Sequence, residues 1–159
     1  MRKIDLIVVH CSASAFGNVE LVRSWHTDPP PRGRGWQDIG YHYLVLNGRP
    51  ITSKRYEEAR DGIVERGRPE EEAGAHCPEV NASSIGVCVI GNPAAGSPLA
   101  LTVAQRRGLV GLLADLCRRH DFPSDAIHGH AEYPSAKAQG KTCPGFPLDE
   151  LRAEVARRL

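Results

Sequence analysis

Neither sign of charge dominates this chain: 20 Lys and Arg stand against 19 Asp and Glu, a formal net charge of +1 with His neutral. A polyanion needs a basic field to hold it, so no nucleic-acid partner is expected. Long apolar runs are missing too. The stretch Leu6 to Val9 near the start is far too short for a membrane span or for the h-region of a signal peptide. Synthesis in the cytoplasm without an N-terminal export signal, and no stable membrane insertion, are therefore expected. The five cysteines, at 11, 77, 88, 117 and 143, are odd in number and contain no Cys-x-x-Cys pair. That argues against a disulfide framework and leaves reduced thiols or a single metal ligand. No internal repeat or low-complexity segment appears. What remains is ordinary globular composition over 159 residues. One domain spanning 1–159 is expected, large enough to bury about 70% of its unfolded surface without bridges.

The apolar periodicity then lays out the elements. Ile4 to Val9 is β-branched and nearly continuous, which reads as a strand covered on both faces. Asn18 caps a helix over Val19 to Thr27, and Pro29, Pro30 and Pro31 stop it. Tyr41 to Leu46 reads as a second strand ended by Asn47-Gly48, and residues 49 to 61 as a polar excursion before Ile63 to Arg66 returns to the sheet. Ser84 to Ile90 is a strand expected at the centre. Thr102 and Gln105 form a capping box ahead of an amphipathic helix running to about Arg119. A short strand at Ala126 to His128, a loop from Gly129 to Phe146 and a helix carrying Leu148, Leu151, Val155 and Leu159 close the chain. The fold class expected is α/β (α+β): a single mixed sheet packed with about three helices.

Seven His invite a metal reading, although any one His is more often a surface or hydrogen-bonded residue. Position sharpens it. His10 ends the first buried strand, where a ligand is held rigidly at the rim of a sheet, and His130 and Cys143 share the long loop before the last helix. A His, His, Cys set offers three borderline or soft donors and leaves a fourth tetrahedral position for water, the arrangement of a catalytic zinc site. Cys88 and Cys117 fall on the apolar faces of a strand and a helix, and Cys11 and Cys77 remain alternative thiol ligands.

Several short segments occur in one order along the chain: Val9-His10-Cys11-Ser12-Ala13-Ser14, Trp25-His26, Gly40-Tyr41-His42-Tyr43, Gly74-Ala75-His76, Asn81 with Ser84-Ile85-Gly86-Val87, Gly129-His130-Ala131-Glu132 and Lys141-Thr142-Cys143-Pro144-Gly145-Phe146. Together they resemble the N-acetylmuramoyl-L-alanine amidase family, the type 2 amidases that include phage lysozymes and peptidoglycan recognition proteins. The resemblance implies one Zn2+ per chain on His10, His130 and Cys143, with Tyr41 and Lys141 as polar catalytic partners and His76 near the substrate groove. It implies a peptidoglycan or muropeptide substrate, cut at the amide between N-acetylmuramic acid and L-alanine. With no export signal expected, the setting expected is a phage or prophage endolysin or a cytosolic enzyme recycling wall fragments; the alternative to an enzyme is a non-catalytic muropeptide-binding module. A monomer is expected. Two segments depart from the family pattern: Arg49 to Asp61 is longer than the usual hairpin, and Glu132 to Gln139 extends the loop ahead of Lys141. By alternation, a Tyr41 facing the cleft would turn His42 to the opposite layer. Arg32, Arg34 and Trp36 are candidates to bound the groove.

Overall fold

The computed structural model describes residues 2–93 and 97–159. Within them, five strands form one sheet: β1 (Leu6–Cys11), β2 (Tyr43–Asn47), β3 (Asp61–Arg66), β4 (Ser84–Val89) and β5 (Ile127–Gly129), in the order β3-β2-β4-β1-β5. Only the β2–β3 pair is antiparallel; β2–β4, β1–β4 and β1–β5 run parallel. The sheet is therefore mixed, with β4 at its centre and every β4 residue buried. Four helices accompany it: α1 (Val19–Thr27), α2 (Val103–His120), α3 (Pro134–Ala138) and α4 (Asp149–Ala156).

Strand alternation divides the interior in two. Ile7 and Val9 of β1, Tyr43 and Val45 of β2, and Ile85, Val87 and Val89 of β4 join Leu109, Leu113 and Leu116 of α2 and Leu151 and Val155 of α4 in the larger core. Leu44, Leu46, Cys88 and Ile90 point to the other side and meet Val22 and Ile39, with Trp25 and Tyr41 packed against them. His10, between Val9 and Cys11, points to this second side, and that choice of face puts it in the site.

Local signals set the helix ends. Asn18 Oδ1 accepts the Leu21 N–H at 2.9 Å, and Thr102 Oγ1 accepts the Gln105 N–H at 2.9 Å. Only half of the expected capping box forms, because the buried Gln105 side chain turns inward and donates to Ile90 O and Val45 O. Strand β3 starts at Asp61, two residues before the expected return at Ile63. The register shifts there against β2, and Gly62 adopts φ +74°, a glycine bulge that bends the strand. The loop expected over Gly129 to Phe146 contains α3, whose five residues are too few to show a helical period. Leu159, expected on the buried face of the last helix, lies beyond α4 and is 52% exposed.

Helix α2 reaches β3 through two glycines. A Cβ on Gly108 would sit 2.1 Å from Gly62 O, and one on Gly62 would sit 2.2 Å from Ala104 O. Gly108→Ala is therefore expected to destabilise the fold by about 1–3 kcal/mol, even though alanine is the better helix former by about 1 kcal/mol. Gly111→Ala, on the same helix with its nearest neighbour at 3.9 Å, is expected to stabilise by about 0.5–1 kcal/mol. Denaturant midpoints of the two variants check the contrast; equal shifts would refute the close approach.

Candidate active site

Strand pairing brings the first two ligand candidates together. In the parallel β1–β5 ladder Val9 stands opposite Gly129, so the following residues, His10 and His130, emerge side by side at the same edge. Their ring centroids are 4.4 Å apart. His10 is 1% and His130 6% exposed. The third candidate arrives on the loop after α3. Ala131 N–H donates to Cys143 O at 2.7 Å, which ties that loop beside His130. The Cys11 N–H donates to Cys143 Sγ, also at 2.7 Å.

One ligand atom from each of His10, His130 and Cys143 lies within 4.8 Å of the others, and no second such group of three occurs among the described residues. Burial, reinforced by His76, His130 and Lys141, holds His10 well below the usual imidazole range. Burial and then Lys141 lower His130 as well. Both rings are thus neutral and have a lone pair to give. Cys143 is pushed up by its contact with the Cys11 thiol and by burial, while the same contact brings Cys11 down to about 7. A cation on Cys143 Sγ would reverse that preference by favouring the thiolate. Two neutral imidazoles and a thiol that metal binding deprotonates fit a single divalent transition-metal ion. Cys77 stands apart, its Sγ directed to Glu79 at 3.5 Å.

The three candidates line a cleft of about 390 Å³ together with Tyr41, His26, Trp36, Arg34, Lys141 and Thr142. Tyr41 lies 5.1 Å from His10 between ring centroids. Burial raises its phenol well above the usual range, so at neutral pH it is a hydroxyl donor. Lys141 is exposed at the cleft's edge, its backbone N–H donating to Ala136 O at 3.0 Å. The short helix α3 thus decides where Lys141 stands.

His42 does not turn to the opposite layer from Tyr41. β2 begins only at Tyr43, so no strict alternation applies to the pair. His42 shares the face of Leu44, and its Nδ1 accepts the Gly86 N–H at 2.9 Å. Tyr41 and His42 rings lie 6.4 and 5.7 Å from that of His76. His76 itself is 8% exposed and sits against His10, its Nδ1 3.1 Å from His10 Nε2, at the margin of the cleft. His26, given no role by the sequence reading, supports the Tyr41 wall. Its Nδ1 accepts the Gly40 N–H at 3.0 Å, and its ring lies 4.8 Å from Trp36 and 5.5 Å from Tyr41. Burial, then Arg34 and Arg68, bring it down to about 4. Its position at the end of α1 was readable, but its partners come from the following loop. Arg34 lies over the Trp36 ring at 5.0 Å. Arg32 is exposed and does not line the cleft.

Comparison with known proteins finds relatives along nearly the whole chain. A family model described as N-acetylmuramoyl-L-alanine amidase matches residues 1–146. The endolysin of Enterobacteria phage K11 is 34% identical over 145 residues, covering 88% of this chain and 80% of that protein. Peptidoglycan-recognition protein SC2 of Drosophila melanogaster is 31% identical over 147 residues, covering 90% of this chain and 66% of its own length. Among solved structures, the N-acetylmuramoyl-L-alanine amidase LysC from Clostridium intestinale superposes with a TM-score of 0.68 at 25% identity, covering 97% of this chain and 86% of that one. With residues 1–146 matched by the family model and its overall fold shared with a solved amidase, this chain belongs to the N-acetylmuramoyl-L-alanine amidase family.

Proposed function

We propose that the chain is a zinc-dependent N-acetylmuramoyl-L-alanine amidase that cuts the amide between the lactyl group of N-acetylmuramic acid and L-alanine of the stem peptide, acting on the wall as a phage-type endolysin. The observation that carries this reading is the convergence of His10, His130 and Cys143 at the floor of a cleft edged by Tyr41 and Lys141. The endolysin relatives support the setting. Zinc bound there would supply a water acidified toward neutral pH and a Lewis acid for the scissile carbonyl.

The chain's own groups do the rest. His10 and His130, kept neutral by burial, and Cys143 as thiolate would hold the ion. Lys141 presents a cation and Tyr41 a hydroxyl hydrogen toward the oxygen on which negative charge develops in the tetrahedral state. A thiolate ligand would temper the ion's acidity, which makes such outside donors more useful. His26 and Trp36 hold the Tyr41 wall in place. His76, buried against His10, meets substrate at most through the cleft margin.

Digestion of intact sacculi beside soluble muropeptides, with mass spectrometry of the products, tests the reading. Free stem peptides beginning with L-alanine are expected, together with glycan carrying an intact lactyl carboxylate, and a chelator is expected to stop their release. Binding of muropeptide without cleavage by zinc-loaded protein would establish the binding-module alternative instead. Glycan fragments in place of free peptides would show the wrong bond has been assigned.

A further inference from the structure

A buried histidine that the proposed chemistry does not use lies directly behind His10. His76 Nδ1 is 3.1 Å from His10 Nε2. On its far side His76 Nε2 faces Ser84 Oγ at 3.5 Å, and Ser84 Oγ donates to Val80 O at 2.7 Å. The polarity of this row can be worked out from its end. Val80 O only accepts, so the Ser84 hydrogen is committed to it and Ser84 Oγ is left to accept from His76 Nε2. A neutral His76 protonated at Nε2 has its lone pair on Nδ1, which must then accept from His10 Nε2. The row therefore favours a hydrogen on His10 Nε2 and a lone pair on its Nδ1.

The place of His76 is built for a ring. A Cβ on Gly86 would stand 2.4 Å from His76 Cδ2 and 2.7 Å from its Nε2, and a Cβ on Gly74 would also come within 2.4 Å of Cδ2. Two positions without side chains thus make the slot. Asn81 Oδ1 fixes the backbone by accepting the N–H groups of His76 and Cys77 at 3.0 and 2.9 Å. His42, whose Nδ1 accepts the Gly86 N–H, packs its ring 5.7 Å away and closes the slot from the side.

We propose that His76, oriented by Ser84 and Val80 O, is a positioning residue that holds His10 as the tautomer protonated at Nε2 and so turns His10 Nδ1 toward the metal. This rests on the metal reading given above. Partners behind a metal-binding histidine set both its tautomer and its ring angle, and removing one typically weakens metal affinity about 10-fold to 100-fold.

The test uses the full chain and zinc alone. In wild-type protein, imidazole 15N shifts of His10 should show a protonated Nε2 both metal-free and zinc-loaded. A chelator competition should show His76→Ala binding zinc about 10-fold to 100-fold more weakly than wild type. His76→Asn, whose Oδ1 stands near the place of the lost Nδ1 and can accept from His10, should recover most of that loss. A His10 protonated at Nδ1, or a His76→Ala affinity within about twofold of wild type, would overturn the inference while leaving the amidase reading intact. Wild-type protein that binds no zinc would overturn the metal reading, and this inference with it. Because none of these readouts is hydrolysis, failure to cleave muropeptide would count only against the proposed function.

Discussion

Cys143→Ser is expected to empty the metal site and abolish hydrolysis while leaving the fold and the groove in place. A serine hydroxyl is rarely deprotonated at neutral pH and holds zinc far more weakly than a thiolate, so the change removes a ligand with little change in volume. On the zinc mechanism proposed above, loss of the ion would remove the acidified water, and turnover should fall on the order of 1000-fold or more. The fold has little reason to follow. Cys143 is half-buried on a loop, and the bond from Ala131 N–H to its backbone carbonyl survives the exchange. Unchanged circular dichroism is therefore expected, with muropeptide affinity within about tenfold of wild type, a difference of about 1.4 kcal/mol. Zinc content, calorimetric titration and product analysis on one preparation measure all three. Hydrolysis retained in verified metal-free protein would rule out the zinc mechanism.

Tyr41→Phe and Lys141→Ala should give the complementary result, a loss of turnover with the metal retained. Neither side chain is among the three proposed ligands, yet both line the same cleft. Each is assigned to charge that appears only in the transition state, so kcat should fall and KM change little. Losing one oxyanion donor costs about 100-fold to 1000-fold in rate. Zinc content near wild type separates this outcome from a damaged site. Tyr41 offers the cleaner comparison, because Phe keeps the ring beside His10 and His26 and deletes only the hydroxyl. Full turnover in both variants would remove them from the mechanism. Their effects need not add, since two donors on one oxygen act as a unit.

Much of this protein is legible along the chain, and what is legible is local. The bounds of α1 follow from the Asn18 cap and the proline run after Thr27, and the helix occupies Val19–Thr27 as expected. The β-branched run from Ser84 marks a strand buried along its whole length, and it lies at the sheet's centre. His10, His130 and Cys143 could be singled out because short motifs surround each of them. Caps, apolar periods and motifs depend on neighbours a few residues away, so the sequence carries them directly.

Tertiary structure decided the rest. That His10 and His130 meet depends on the register of β1 against β5, set by burial across two parallel strands and by no residue near either histidine. The placement of Lys141 depends on α3, too short to betray itself by period. Tyr41 and His42 failed to alternate because β2 starts one residue after the pair, a boundary fixed by pairing with β3 and β4. His76 sits in a slot between Gly74 and Gly86, with Ser84 behind it, which no spacing rule predicts. By itself the sequence determined which residue types stand ready for metal and acid–base chemistry and on which elements they ride. Only the packed sheet decided their distances, their burial and their hydrogen-bond partners, because those follow from contacts between segments far apart in the chain.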